Sequence, residues 1–205
     1  KIWKDKNIEY PIQLLQPDVV LKKVMEYTFI SSDSLGTYER DGDLFEVAGL
    51  IDKSKRLVRV SKNFPQETQN FTAAHELGHA ILHKQSVLHR DKPIDGSATT
   101  PRNPEEIQAD KFATYFLMPM KLIQDVFLEL FEIPKFIVNE NTVLAIRGGS
   151  VVALREKCKN LRGLSRELAS TDFFGGKSFK TLAKIFGVSI ETMAIRLEEI
   201  GLVEY

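Results

Sequence analysis

The feature that most constrains the fold is the run HELGH at residues 75–79, set in the otherwise apolar stretch FTAAHELGHAILH (71–83). If this stretch is a helix, His75 and His79 lie on one face, because residues four apart project from the same side. A helix that only filled a core would not need His75, Glu76 and His79, since buried ionisable groups are costly unless they are paired or bind a metal. The run therefore predicts a helix whose inner face meets a metal or polar partners.

HELGH fits the H-E-x-x-H pattern, in which two histidines bind zinc and the glutamate acts as general base. Such a short pattern also occurs by chance, and the alternative is a helix with two partly buried, hydrogen-bonded histidines. The metzincin variant is excluded, because Leu82 and Gln85 stand where it requires glycine and a third histidine. We interpret His83 as a helix-end histidine, with metal binding less favoured, and His89 as a structural or solvated loop residue.

A catalytic zinc site needs a third protein ligand and an open position. On the next predicted helix, Glu106 and Asp110 again stand four residues apart. We predict that Glu106 binds zinc and that Asp110 accepts a hydrogen bond from the second ring nitrogen of a liganding histidine. Glu105 is a rival ligand, but only Glu106 has an aspartate four residues later. In isolation, Glu106 would be a solvated helix-start residue and Asp110 a surface charge.

Periodicity and turn residues outline the surrounding elements. Residues 17–30 predict a short helix that runs into a strand, and Asn63 is a plausible N-cap of the HELGH helix, with Gln66 at its capping-box position. The further predicted elements are strands at 44–51 and 56–61 that form a hairpin, a polar loop at 86–103, and helices at 104–118 and 119–131.

Composition excludes several classes of protein. Lys+Arg and Asp+Glu both number 28, and this balance argues against a nucleic-acid coat or a membrane-surface protein. The single cysteine, Cys158, excludes an internal disulfide and fits a reducing compartment. No stretch is apolar enough to span a bilayer, and no signal-peptide pattern opens the chain, although Lys1 in place of Met leads us to expect a short missing piece. We expect a cytoplasmic protein without a membrane partner.

Two runs, FTAAHELGHAILH (71–83) and EIQADKFATYFLMP (106–119), together resemble the ImmA/IrrE family of bacterial zincin-like metallopeptidase regulators. The resemblance spans about residues 20–130, although the family often has Asn where Asp110 stands. It implies a zincin-like domain, with a small sheet and with zinc between the HExxH helix and the Glu-bearing helix. Together with the mostly helical C-terminal part that the residues predict, this gives an α+β fold. The residues that match the family pattern in the second run are Glu106, Ala109, Asp110, Phe112, Ala113, Met118 and Pro119.

The resemblance also implies a function, because some members cleave helix-turn-helix transcriptional repressors and so trigger a mobile-element or stress response. Radiation-response members carry a C-terminal sensor-like domain, for which we expect no room here. In the implied mechanism Zn²⁺ lowers the pKa of its water toward ~7, and Glu76 passes a proton from that water to the leaving amine. No oxyanion donor is identified, and Tyr115 is expected to pack in the core. A substrate could pair with an exposed hairpin edge at 56–61.

We divide the chain into a zincin-like metallopeptidase domain at 1–132 and a helical domain at 133–205, with a helix-turn-helix-like segment at 178–203. In that segment Gly187 predicts a helix stop and Ser189 an N-cap. Glutamates outnumber basic residues there, so DNA binding is not favoured over docking a protein or bracing the peptidase domain. The preceding helix carries a basic face that could meet phosphate or an acidic protein, or could be merely solvated: Arg155, Lys157, Lys159, Arg162 and Arg166.

The motifs predict a zinc-dependent, intracellular metalloendopeptidase, and the resemblance implies that it is of regulatory type and acts on a helix-turn-helix repressor. One alternative is a metal-binding regulator that acts by binding its partner without proteolysis. The other is a DNA-binding regulator that uses the C-terminal helices and keeps zinc for structure. The intact Glu76 argues against a purely structural site, which needs no base there.

Overall fold

The computed structural model describes residues 15–40, 42–84, 89–90, 103–147 and 149–205. The chain divides into two compact units, Lys1–Leu117 and Met118–Tyr205. The predicted domain boundary, between residues 132 and 133, falls within the second unit. The helix predicted at 119–131 therefore belongs to the second unit. Across the described ranges, no helix is both long and apolar enough to cross a membrane.

The first unit mixes short strands with helices, an α+β arrangement. The predicted passage from helix to strand at 17–30 is present as α1 and β1. In chain order the described elements are α1 (Pro17–Lys23), β1 (Thr28–Ser32), β2 (Thr37–Arg40), β3 (Asp43–Glu46), β4 (Gly49–Asp52), β5 (Leu57–Ser61), α2 (Gln66–Leu82), β6 (His89–Arg90) and α3 (Pro104–Leu117).

Four strands form one sheet in the order β1-β5-β4-β6. The predicted hairpin is confirmed, since β4 and β5 pair antiparallel with Gly49 opposite Val60. The expectation of an exposed edge at 56–61 is wrong, because β1 pairs parallel with β5, with Thr28 opposite Leu57. The predicted strand at 44–51 is in fact two strands, of which β3 pairs with β2 in a separate antiparallel ribbon.

The sheet buries one face against α2. Val58 and Val60 alternate inward along β5, as a half-buried strand requires. They pack with Ile51 of β4 and with Ala73 and Leu77 of α2 in one hydrophobic cluster. Full burial of each large aliphatic side chain stabilises the fold by about 1.5–3 kcal/mol. This cluster fixes the position of α2, and so of the histidines that α2 carries.

The start of α2 differs from the sequence prediction. The helix begins at Gln66, with Pro65 as N-cap and no side-chain capping bond. Asn63 instead donates its side-chain amide to Glu46 Oε1 at 2.6 Å, and Gln66 donates to Asn70 Oδ1. The predicted capping box is therefore wrong, because a carboxylate on β3 binds the proposed N-cap residue.

Helices α2 and α3 approach closely at Gly78, between the two histidines. A Cβ at Gly78 would lie 3.1 Å from Phe112 Cβ and 3.2 Å from Ala109 Cα, tighter than ordinary van der Waals contact. Ala109 and Ala113, the small residues of α3 that face inward, are fully buried. Small residues on both helices therefore bring the backbone of α3 beside the HELGH segment.

The second unit is mostly helical. In chain order its elements are α4 (Met120–Phe131), β7 (Phe136–Ile137), α5 (Glu140–Ala145), α6 (Val151–Cys158), α7 (Leu161–Ser170), β8 (Phe173–Phe174), β9 (Lys177–Ser178), α8 (Leu182–Phe186), α9 (Ile190–Glu199) and β10 (Val203–Glu204). Gly187 ends α8 with φ +62°, and the Ser189 side chain caps α9 by accepting from the backbone N–H of Thr192. The two local predictions are confirmed, whereas the helix-turn-helix assignment stays a prediction.

Part of the basic face on α7 is neutralised by α9. Arg162 donates from Nε and Nη2 to Glu198, at 2.6 and 2.9 Å, and from Nη1 to Glu191 at 2.9 Å. Arg166 donates to the other oxygen of Glu191. Arg196 on α9 is buried and donates to the carbonyl of Met118. These guanidinium groups are thus engaged within the unit.

We expect Gly49→Ala to destabilise the protein by about 1–3 kcal/mol, because the added methyl would overpack the interior. Its Cβ would lie 2.3 Å from Thr72 Cγ2 on α2. Urea unfolding of the full chain measures the loss. Thr72→Ser removes the clashing methyl, so Gly49→Ala/Thr72→Ser should lose less than the sum of the single variants. Strictly additive losses would contradict this packing.

We expect Arg162→Met to destabilise the second unit by about 1 kcal/mol at neutral pH. Hydrogen bonds from Arg162 and Arg166 lower the pKa of Glu198 and Glu191 from 4.5. Since these folded-state pKa values are depressed, their contribution is present above pH 4.5 and is lost as pH falls through the folded values. The difference between wild type and Arg162→Met should therefore shrink on acidification, which denaturant titrations at several pH values measure. A difference that grows in acid would oppose this account.

Candidate metal centre

The two histidines of HELGH lie at the centre of α2. His75 and His79 are 1% and 0% exposed, and their Nε2 atoms lie 2.9 Å apart. The four-residue spacing puts both rings on one face, as helix geometry requires. Two imidazole nitrogens therefore point to the same place.

Glu106 on α3 completes this group. Its Oε2 lies 3.2 Å from His75 Nε2, and its Oε1 lies 3.4 Å from His79 Nε2. Partial burial raises the pKa of Glu106, but the interactions of its carboxylate with His75 and His79 outweigh burial and hold the pKa well below its usual range. The carboxyl group is thus ionised. The close approach of α3 at Gly78 puts this anion beside the histidines.

The three residues fit a transition-metal ion. One potential ligand atom from each of His75, His79 and Glu106 lies within 4.8 Å of the others, and no further group of this kind occurs in the described ranges. Two imidazole nitrogens with one carboxylate form the donor set of catalytic zinc sites. Glu105, the rival ligand, is absent from the group, and its charge acts instead on the ammonium of Lys53.

Asp110 lies behind His75, on the side away from the other ligands. Its Oδ1 is 2.9 Å from His75 Nδ1. When Nδ1–H donates to this carboxylate, the lone pair of the imidazole is on Nε2, the nitrogen that faces Glu106. Such a carboxylate fixes the ring and makes it a more basic ligand.

Glu76 occupies the neighbouring position on α2 and is fully buried. It lies against β4, where a Cβ at Gly49 would come within 3.2 Å of Glu76 Oε1. Burial lowers the pKa of Lys53, and the negative charges of Glu105 and Glu76 partly raise it again. A carboxylate thus lies next to the metal group without belonging to it.

His83 is the C-cap of α2, as the sequence predicts, but its contacts with His79 and Gln108 were not predicted. His83 Nδ1 lies 2.9 Å from His79 Nδ1, and His83 Nε2 lies 3.2 Å from Gln108 Oε1. The signal for His83 was its four-residue spacing from His79.

Tyr115, expected in the core, is instead 54% exposed, because it lies on the face of α3 opposite the buried residues Ala113 and Leu117. The backbone of His89 pairs with β4 in β6, within the predicted loop, and the rest of that loop up to residue 102 lies outside the described residues.

Loss of the carboxylate behind His75 should weaken the metal site without unfolding the chain. We expect Asp110→Ala to lower Zn²⁺ affinity by about 10–100-fold, and Asp110→Asn to cost less because its amide oxygen can still accept. Competition with a chromophoric chelator measures both. Asp125→Ala, which removes an exposed carboxylate paired with Lys121, is the matched control. Equal affinities for Asp110→Ala and the control would show that the contact does not support a ligand.

The sequence of this chain matches a known protein family. Residues 30–134 match the model of the Peptidase_M78 family, described as the IrrE N-terminal-like domain. The match contains β2 to β6, α2 with HELGH, and α3 with Glu106 and Asp110. No curated protein and no solved structure gives a significant match. Since the matched residues make up more than half of the chain, the protein belongs to the Peptidase_M78 family of IrrE-type metallopeptidase domains.

Proposed function

We propose that the protein is a zinc-dependent metalloendopeptidase of regulatory type. The observation that carries the proposal is the convergence of His75, His79 and Glu106 on one point, with Glu76 buried on the same helix. Structural zinc sites use four protein ligands, whereas catalytic sites use three and keep one position open. The three-residue donor set and the nearby carboxylate both favour the catalytic kind.

Each residue then has a distinct role in peptide hydrolysis. His75 and His79 would hold zinc through Nε2, and Glu106 through its carboxylate. When bound, zinc supplies Lewis acidity, which lowers the pKa of water and polarises a peptide carbonyl. Glu76 takes a proton from the attacking water and returns it to the leaving amine nitrogen. Because Glu76 is 0% exposed, the proton is kept from bulk water between the two steps.

The proposed substrate is a helix-turn-helix transcriptional repressor. Membership of the IrrE-type family supports a regulatory peptidase, and cleavage of a repressor would start a mobile-element or stress response. We assign the second unit a role in docking the protein substrate. Arg162 and Arg166 of this unit pair with glutamates and Arg196 is buried, so these three guanidinium groups are poorly placed to bind phosphate. This favours a protein partner over DNA.

The direct test compares wild type with Glu76→Gln on a repressor encoded beside the gene for this protein. Glu76→Gln keeps the shape of the side chain but cannot accept a proton. We expect it to retain one equivalent of zinc and to cleave about 10²–10⁴-fold more slowly than wild type. Metal content by mass spectrometry and appearance of cleavage fragments are the two measurements.

Glu105→Gln is the matched control, because it makes the same change at a glutamate outside the metal group. We expect this variant to cleave at nearly the wild-type rate. If Glu76→Gln binds zinc and still cleaves, the proposed mechanism is wrong. If wild type binds zinc and the repressor but cuts nothing, the protein is a binding regulator without proteolysis.

A further inference from the structure

A line of side chains runs from the metal group to the surface of α3. His79 Nδ1 contacts His83 Nδ1, and His83 Nε2 contacts Gln108 Oε1. His79 and His83 are buried, whereas Gln108 lies on an exposed part of α3. The opposite nitrogen of His79, Nε2, is the one that faces His75 and Glu106. The line therefore ends at the nitrogen that would bind the metal.

The orientation of one amide sets every proton along this line. Gln108 presents its carbonyl oxygen to His83, so His83 Nε2–H donates to it. In a neutral ring, His83 Nδ1 is then an acceptor and receives the proton of His79 Nδ1–H. His79 Nε2 is left with its lone pair directed at the metal group, as a zinc ligand requires.

The reversed amide would have the opposite effect. A side-chain NH2 of Gln108 facing His83 Nε2 would donate, and His83 would carry its proton on Nδ1. His79 Nδ1 would then accept, and its proton would lie on Nε2, where it blocks metal binding. The acceptor character of Gln108 is therefore what distinguishes a binding from a non-binding tautomer of His79.

We propose that His83 and Gln108 are positioning residues that fix His79 in its metal-binding tautomer. This inference rests on the proposed metal-dependent function, since it takes His79 as a ligand. The site then has two outer supports of different chemistry: the carboxylate of Asp110 supports His75, and the amide of Gln108 supports His79 through the ring of His83.

Two further contacts hold the pair in place. The ammonium of Lys53, in the turn between β4 and β5, donates to the carbonyl of His83 at the end of α2. The backbone N–H of His83 donates to the carbonyl of His79. The backbone of His83, which carries the ring, is thus anchored from the β4–β5 turn as well as from its own helix.

The test measures Zn²⁺ affinity of the full chain by chelator competition, with folding followed by circular dichroism. Gln108→Leu removes the acceptor at an exposed position, where loss of the fold is not expected. We expect it to weaken zinc binding by about tenfold. Gln108→Glu, which can only accept, should bind zinc at least as tightly as wild type, and Glu105→Gln on the same helix should change affinity little.

A second variant background tests the hydrogen-bonded line from Gln108 through His83 to His79, here called the relay. It separates the effect of the relay from simple attraction between the added charge and the metal. In His83→Phe the link to His79 is absent, so Gln108→Glu should no longer affect zinc affinity. An equal gain from Gln108→Glu with and without His83 would overturn the relay in favour of long-range attraction. If wild type binds zinc and Gln108→Leu binds it equally, the relay alone is overturned. If wild type binds no zinc, the proposed function fails and the relay falls with it.

The tautomer itself is measurable by long-range ¹H–¹⁵N correlation NMR of the zinc-loaded protein. We expect His83 to carry its proton on Nε2 and His79 to carry its proton on Nδ1. A proton on His83 Nδ1 would overturn the proposal. A merely space-filling role for His83 would place no demand on which nitrogen is protonated.

Discussion

The centre depends first on how closely α3 can approach α2. At Gly78 even one methyl group would press on Phe112 and Ala109 at 3.1–3.2 Å. Because the glycine lies between His75 and His79, the two helices are closest where the ligands are. Glu106 thereby reaches both Nε2 atoms at 3.2 and 3.4 Å. A bulkier residue at this crossing would separate the carboxylate from the imidazoles.

The same approach lets α3 serve the centre in more than one way. It supplies Glu106 as the acidic partner, Asp110 behind His75, and Gln108 beside His83. On the other side of α2, Gly49 leaves room for the buried carboxylate of Glu76 against the sheet. The lack of a side chain at Gly78 and at Gly49 thus leaves the space in which Glu106 and Glu76 lie. The rings of His75, His79 and His83 are tolerated at this depth because each contacts other polar side chains.

What could be predicted from the sequence was mostly local. Pairs four residues apart on a helix, such as His75 and His79, share a face wherever the helix goes, and Gly187 and Ser189 punctuate helices by their own chemistry. Of the contacts between distant segments, only those of Glu106 and Asp110 with the histidines were predicted. The pairing of β1 with β5, which makes β5 an inner strand rather than an edge strand, was not predicted. The hydrogen bond from the side-chain amide of Asn63 to Glu46 was not predicted either. Gln108 stands two residues from Glu106, a spacing that gives no common face, so only the packing of α3 on α2 reveals it.

We propose that His75, His79 and Glu106 bind one zinc ion together. Diffraction from zinc-loaded crystals at the zinc absorption edge tests it most directly. We expect a single anomalous peak per chain, about 2.0–2.2 Å from both histidine Nε2 atoms and from a Glu106 oxygen, with His83 outside the ligand set. A peak bound by His83 in place of Glu106, or no peak at this position, would contradict it.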